Sequence, residues 1–431
     1  MLIEFKVANF RSFRDEQTLS MVASEADQTH QANLVRQDGF ALVKAAAVYG
    51  PNASGKSNLI SALQCVQTFV GESASRMNLE DEIPGISPFR LDQAYSDRPS
   101  SFEVQFTTRT AHYRYGFSAS HWMVCEEWLF VREPRVEIEK LLFSRECNPS
   151  NGKTCWEFGE PLAGGDRDII EKRTRENGLA LSRGAELNVG PLLEPFRWFR
   201  NELRVQDLSQ NLHPLVRDTV RRMGDPEFKR HLISMLQHAD LGIKNIVIVE
   251  GPWEQRPLIP LTRATAEEGS VFAVHSTNTR DSTVDMDFFR DESLGTQRFL
   301  VMAGFLLSAL TEGQTLVLDE FDCSLHPLLA RKLIELFQSE DLGKAGGQLI
   351  FATHDSTLMD PVLFRRDQIW LVEKNALGGS ELCSVHDFDV SSERPTTASL
   401  QRDYLAGRFG AVPRFGPTFE DLKLKPAGAN E

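Results

Sequence analysis

Hydrophobic positions recur along this chain in three patterns, and each predicts a different kind of element. Leu2 to Val7 reads as a strand, followed by the turn-like Asn9-Phe10-Arg11-Ser12-Phe13 and a short second strand near residues 18–22. Residues 23–42 are polar and predict irregular structure. Ala45 to Tyr49 is a small apolar strand that runs into a glycine loop. The next segment places Leu59, Ile60, Leu63 and Val66 at helical spacing, so a helix is expected from about Lys56 to Val70. From about 100 to 145 the period changes to two. Phe102-Glu103-Val104-Gln105-Phe106, Tyr113-Arg114-Tyr115-Gly116-Phe117 and Trp128-Leu129-Phe130-Val131 predict an antiparallel meander. Residues 148–165 carry Asn-Pro-Ser-Asn-Gly and Ala-Gly-Gly and predict a loop.

Residues 166–242 are charge-rich and mostly helical in pattern. Asp225-Pro226-Glu227 reads as a helix start with proline in the first turn. Leu232, Ile233, Leu236 and Leu241 give that helix an apolar face. Ile246 to Val249 predicts a strand, and the polar stretch 263–285 a loop. In the last third, apolar strands at Leu316–Leu318, Leu349–Ala352 and Ile369–Val372 alternate with helices at about 296–311 and 327–338. Continuously apolar strands between helices predict an α/β sheet covered on both faces. No internal repeat and no coiled-coil heptad run is visible.

Composition narrows the class. A length of 431 residues allows two or three domains at ~100–200 residues each. Hydrophobic residues make up 41% and charged residues 25%, as in ordinary globular proteins. No run was found that approaches the ~20 apolar residues of a membrane helix. The opening MLIEFKVANF lacks the basic-then-apolar pattern of a secretory signal. Six scattered cysteines form no CxxC pair, so neither a zinc site nor a disulfide framework is indicated, and reduced thiols in the cytoplasm are expected. The net charge of −14 lowers the expectation that this chain alone grips a nucleic-acid duplex, without excluding a local basic patch.

Chemistry enters with Gly50-Pro51-Asn52-Ala53-Ser54-Gly55-Lys56-Ser57, which fits GxxxxGK[ST] at every position. The glycines let backbone N–H groups converge on phosphates, and the helix N-terminus adds partial positive charge. Lys56 would reach the β- and γ-phosphates, and the Ser57 hydroxyl would ligate Mg²⁺. Gly50, Asn52, Ala53, Ser54, Gly55 and the adjoining Asn58 complete the candidate cradle. A chance glycine-rich loop is the competing reading, and the strand before and helix after argue against it. Leu316-Val317-Leu318-Asp319-Glu320 is an apolar strand ending in two acids. Asp319 is the candidate Mg²⁺ ligand and Glu320 the candidate base for a water. Alone, such a pair reads as a solvated strand end.

Between these motifs lies Glu292-Ser293-Leu294-Gly295-Thr296-Gln297-Arg298, followed by an apolar helix. The Ser-x-Gly-x-Gln spacing resembles the signature of ABC ATPases, with Leu294 where that family has glycine. An ordinary Ser N-cap is the alternative. Phe321-Asp322-Cys323-Ser324-Leu325-His326-Pro327 resembles the D-loop of SMC-type ATPases. Leu349-Ile350-Phe351-Ala352-Thr353-His354-Asp355 ends in a histidine, as the switch strand of ABC ATPases does. Gln93 and Gln105 are candidates for the Q-loop metal ligand; Gln105 falls mid-strand, so Gln93 is preferred.

Taken in order, these motifs resemble the compact ABC/SMC-like ATPases of the "AAA family", with RloA-type and OLD-type defence ATPases among the relatives. Asn9-Phe10-Arg11-Ser12-Phe13 is similar to the opening of SMC, RecF and OLD proteins. Glu127-Trp128-Leu129, Asp367–Glu373 and Tyr404–Pro413 also resemble this group, so the likeness runs nearly end to end. The resemblance implies an ABC/SMC-type P-loop ATPase head with an antiparallel β subdomain and an inserted helical lid. It implies an N-terminal lobe at 1–150, the lid at 151–264 and a C-terminal lobe at 265–431. Arg11, Ser12, Ser293, Gly295, Gln297 and Asp322 would contact nucleotide, with His354 and Lys56 assisting catalysis by Glu320. ATP and Mg²⁺ are the expected cofactors. A second copy of the chain would complete the site, and a separate effector in anti-phage defence would be the partner. The alternative is a RecF/SMC-like repair ATPase that binds DNA directly. OLD-type relatives carry a Toprim nuclease domain needing a Glu and an Asp-x-Asp. Glu373, Asp387 and Asp389 are present, but only about 77 residues follow His354, and a solvated acidic turn is the expected reading.

Overall fold

The computed structural model describes residues 1–413 except 38, 137, 149–152, 163, 209–211, 240, 250–269, 279–281, 323–324, 340–345 and 389–396. The chain opens with β1 (Leu2–Ala8), β2 (Gln17–Ser20), β3 (Leu34–Gln37), β4 (Phe40–Val43) and β5 (Ala45–Tyr49). The phosphate loop leads into α1 (Lys56–Glu72). After a single turn, α2 (Gln93–Ser96), come β6 (Ser100–Thr107), β7 (His112–Ala119), β8 (Val124–Arg132), β9 (Lys140–Cys147) and β10 (Thr154–Phe158). Helices α3 (Gly164–Arg173), α4 (Ala180–Glu186) and α5 (Gly190–Arg197) lead to β11 (Leu203–Asp207). Then follow α6 (His213–Arg222), α7 (Pro226–His238), β12 (Ile243–Val249), β13 (Ser270–Ser276) and β14 (Thr283–Asp287). The last third is α8 (Leu294–Glu312), β15 (Thr315–Asp319), α9 (Pro327–Gln338), β16 (Gln348–Ala352), β17 (Ile369–Lys374), β18 (Ser380–Ser384) and α10 (Thr397–Leu405).

Two sheets enclose α1. The first is antiparallel, in the order β10-β9-β8-β7-β6-β1-β2. The second has the order β11-β15-β16-β5-β17-β18 and is parallel except for β18. Strand period explains the layering. Ala46 and Val48 of β5, with Val317, Ile350 and Val372, face α1 and the antiparallel sheet. Ala45, Ala47 and Tyr49, with Leu316, Leu318, Leu349 and Phe351, face the opposite layer, formed by α8, α9 and their neighbours. All five residues of β5, β15 and β16 are buried, as a sheet covered on both faces requires. A mixed α/β core whose phosphate-loop helix lies between a parallel sheet and an antiparallel β subdomain agrees with the fold class expected from the motifs.

Several elements depart from the sequence reading. Residues 34–43 form a hairpin rather than irregular chain, with Leu42 packed on Met1 and Ile3. Residues 154–158 leave the expected loop to add an edge strand to the meander. The polar stretch 263–285 contains β13 and most of β14, while 263–269 lie outside the described residues. Only Asp287 of β14 is buried, so its hydrophobic alternation was too weak to read. The segment 151–264, expected as a mainly helical lid, carries α3 to α7 but also strands. It lends β10 to the meander and β11 to the core sheet, where parallel pairing with β15 satisfies its backbone. Helices α6 and α7 pack on α8, and β12 of the three-stranded sheet β12-β13-β14 packs on α7. On length and composition α8 could cross a bilayer, but it lies largely buried within the protein. Its apolar surface all round is that of a core helix.

Candidate functional site

The candidate site forms where β5, β16 and β15 end side by side. In parallel sheets this carboxyl edge is where ligands gather. The chain turns from Tyr49 through the phosphate loop into α1, which has no side chain capping its first N–H groups. Two glycines are required here by contact. A Cβ on Gly50 would meet the Val372 carbonyl oxygen at 2.3 Å, and one on Gly55 would meet Ser380 Oγ at 2.3 Å. Gly55 also has φ +121°, which an L side chain rarely adopts. Asn52 and Ala53 are exposed at the loop's tip, and Ala53 takes the left-handed conformation (φ 62°). Ser54 Oγ is buried without a protein partner.

Lys56 is buried, and its ammonium donates to the carbonyls of Gly50 (2.7 Å) and Pro51 (3.1 Å). Burial lowers its pKa to about 8, against the pull of Asp319, Asp322 and Glu320. Its charge is therefore held inside the loop at neutral pH. Ser57, exposed at the start of α1, hydrogen-bonds through its hydroxyl to the Asp319 carboxylate. Burial raises the Asp319 pKa; Asp207 and Glu320 add to the rise, while the Ser57 and Glu320 hydrogen bonds oppose it. The backbone N–H of Glu320 donates to Asp319 Oδ1 at 3.1 Å, and Glu320 itself is left-handed (φ 54°). That non-glycine strain turns the chain sharply just where the second acid stands.

His354 follows the end of β16. Thr353 N–H bonds to the Val48 carbonyl at 3.1 Å, which holds the His354 turn against the phosphate-loop strand. His354 N–H donates to Asp322 at 3.3 Å. Burial and the Lys56 cation lower the His354 pKa, against Asp322, Glu320 and Asp319. Lys56, Ser57, Asp319, Glu320, Asp322 and His354 are thus brought together as the motifs implied. Cys323 and Ser324 of the D-loop lie outside the described residues.

The opening hairpin joins this group from the other flank. Ser12 Oγ accepts from Asn58 Nδ2 (2.8 Å) and lies 2.8 Å from Ser380 Oγ. Arg11 is exposed, with φ 49°. Ser380 was not anticipated, because a lone serine after Gly378-Gly379 carries no motif. Ser293 caps α8, accepting from Thr296 N–H at 3.1 Å. Ser293 is exposed, Gly295 half-buried, and Leu294 points outward. Gln297 turns inward instead, donating to the carbonyls of Phe289 (3.2 Å) and Glu292 (3.1 Å). It braces the segment before the helix.

Gln93 opens the one-turn α2 and is exposed, and no hydrogen bond among the described residues joins it to Ser57 or Asp319. Gln105 is mid-strand, donating to Glu4 at 3.4 Å. The strand beside the acidic strand is β11, and its last residue, Asp207, pairs in register with Asp319. Its position could be found only through sheet order. Glu373 accepts from Ala411 N–H (2.9 Å), and Asp387 from Ser384 N–H (3.0 Å), so these acids hold turns; Asp389 lies outside the described residues.

These residues fit a nucleotide triphosphate with Mg²⁺. The loop offers an enclosed ammonium and an unpartnered buried hydroxyl. Ser57 and Asp319 offer hard oxygen donors of the kind Mg²⁺ takes, and the acids crowded at Asp319 favour a cation.

Among solved structures the chain is similar to the SMC head domain from Thermotoga maritima, with 14% identity, 90% of this chain and 99% of that one covered, and a TM-score of 0.39. It is also similar to the SmcHead bound to the C-winged helix domain of ScpA, with 11% identity, 89% and 97% covered, and a TM-score of 0.41. RecF-ATPrS, described as a recombination mediator protein in the RecFOR pathway, gives 14% identity, 89% and 98% covered, and a TM-score of 0.30. No curated protein matches. The model of one sequence family covers residues 45–360, from the phosphate-loop strand to just past the histidine turn. This chain belongs to that family, described as "AAA domain, putative AbiEii toxin, Type IV TA system".

Proposed function

We propose that the chain is an ATPase whose active site closes only when two copies meet head to head. The observation carrying this reading is the placement of Lys56, the Ser57–Asp319 pair, Glu320 and His354 on three neighbouring strand ends. Lys56 and the phosphate-loop N–H groups hold the phosphates. Ser57 and Asp319 would hold Mg²⁺, which when bound would offset phosphate charge. Glu320 accepts the proton of the attacking water, and neutral His354 offers an N–H to the γ-phosphate. Asn52, Ala53, Asn58, Arg11 and Ser12 line the nucleotide, and Asp322 ties the D-loop to the histidine turn. Ser293, Gly295 and the head of α8 meet the γ-phosphate of the other copy. Hydrolysis then reopens the dimer.

Within this reading the chain is a cytoplasmic, nucleotide-gated sensor or scaffold of the RloA/OLD kind, acting in anti-phage defence with a separate effector. The family's description as a putative toxin of a type IV TA system supports a defence setting with a second component. The net charge of −14 weighs against direct duplex binding as its main activity. Glu320→Gln tests the catalytic assignment. The amide cannot take the water's proton, so ATP is expected to bind while turnover falls by at least ~100-fold, the lower range for general-base catalysis. Light scattering with Mg-ATP is expected to show a longer-lived dimer. Wild-type turnover by this variant would refute the role of Glu320.

A further inference from the structure

We propose that Ser380 is a positioning residue that aims the Gly55 N–H into the phosphate cradle. Ser380 stands at the start of β18, on the opposite side of β5 from the acidic strand, and is 2% exposed. It makes three hydrogen-bonded contacts. Its backbone N–H donates to the Ser12 carbonyl at 2.7 Å. Its hydroxyl donates to the Ser54 carbonyl at 2.5 Å and lies 2.8 Å from Ser12 Oγ. Ser12 Oγ is in turn held by Asn58 Nδ2, one turn into α1. One hydroxyl therefore links the opening hairpin, the phosphate loop and the last strand of the core sheet.

The consequence follows from peptide geometry. In a trans peptide the C=O and the next N–H point in opposite directions. Holding the Ser54 C=O outward on Ser380 turns the Gly55 N–H the other way, towards the ligand side of the loop. Gly55 has the freest backbone in the motif, so without an anchor this peptide plane can rotate. The contact also explains the glycine: the position a Gly55 Cβ would take is 2.3 Å from Ser380 Oγ and 2.9 Å from Ser12 Oγ. Ser380 acts through the Ser54 carbonyl that it holds. It acts on ground state and transition state alike, and loss of such uniform binding raises KM while leaving kcat.

This inference rests on nucleotide binding at the phosphate loop, so the test carries Lys56→Ala as a separate control. Ser380→Ala is expected to raise the Kd for Mg-ATP about 10-fold, a loss of ~1.4 kcal/mol, while kcat at saturating ATP stays within about twofold. A purely structural role would lower the active fraction, and so kcat, at unchanged Kd. A Kd within twofold of wild type, or a fall in kcat without a rise in Kd, overturns the proposal. If Ser380→Ala does not fold, Ser380→Cys takes its place, since its S–H is a weak donor to the Ser54 carbonyl; it must raise Kd at least threefold, and a smaller change overturns the proposal. If Lys56→Ala also leaves affinity unchanged, the phosphate-loop reading itself fails. If Lys56→Ala abolishes binding and the serine variants do not weaken it, only the role of Ser380 fails.

Discussion

Two single residues carry consequences beyond the motifs that contain them. Burial pushes Lys56 down to about 8 in the nucleotide-free protein. Below that pH it is charged with or without ligand. Between about 8 and its ordinary value near 10.5, the free protein has lost the proton that bound phosphates restore. Mg-ATP binding is therefore expected to take up protons at pH 8.5 and few at pH 7, with affinity falling as pH rises. Calorimetry in two buffers of different ionisation enthalpy measures this, and no uptake at pH 8.5 would contradict it. The second residue is Glu127, buried in the meander. Its carboxylate accepts from Tyr115 Oη (3.0 Å), Arg145 Nε (2.9 Å), and the N–H groups of Ala180 (2.8 Å) and Leu181 (3.0 Å) at the start of α4. Glu127→Ala strands a buried guanidinium and is expected to cost about 3–5 kcal/mol in urea unfolding. A loss under ~1 kcal/mol would contradict this. The phosphate-loop, acidic-strand and histidine residues were legible because their types and order are specific. Asp207 and Ser380 were not, since one depends on strand register and the other on a contact across more than 300 positions.

At the scale of elements, strands buried on both faces were the readable ones. Ala45–Tyr49, Leu316–Leu318 and Leu349–Ala352 were each found within a residue or two. β11 was hidden in a charge-rich helical stretch: it alternates Leu203 and Val205 with polar neighbours over only five residues, and its place is set by β15. The helix on which the proposed dimer site depends is α8. It turns at Gly313, in the left-handed cap conformation, directly into β15. Its 19 residues span about 28 Å, against about 16 Å for the five-residue strand it runs back along. Its head, with Ser293, is therefore carried beyond the strand ends that hold the other candidate residues. A residue so placed is suited to meet a nucleotide on another molecule.

For the whole molecule, β10 and β11 show that the chain crosses between layers inside the interval 151–264 expected as a lid. Its ends also interlock: Gln348 holds β1 through the Leu2 N–H (2.6 Å) and carbonyl (3.0 Å), and Ser380 holds the opening hairpin. These contacts join distant parts of the chain within one head, and the proposed catalysis lies between two such heads. Mixing Lys56→Ala with Ser293→Arg subunits tests this most directly. In a two-fold dimer with trans sites, the mixed species carries both lesions in one site and neither in the other. Random pairing makes about half the dimers mixed, so the mixture is expected to regain up to about a quarter of wild-type ATPase activity, while each variant alone is inactive. A Ser293→Arg protein that hydrolyses ATP at the wild-type rate as an isolated monomer would contradict the account.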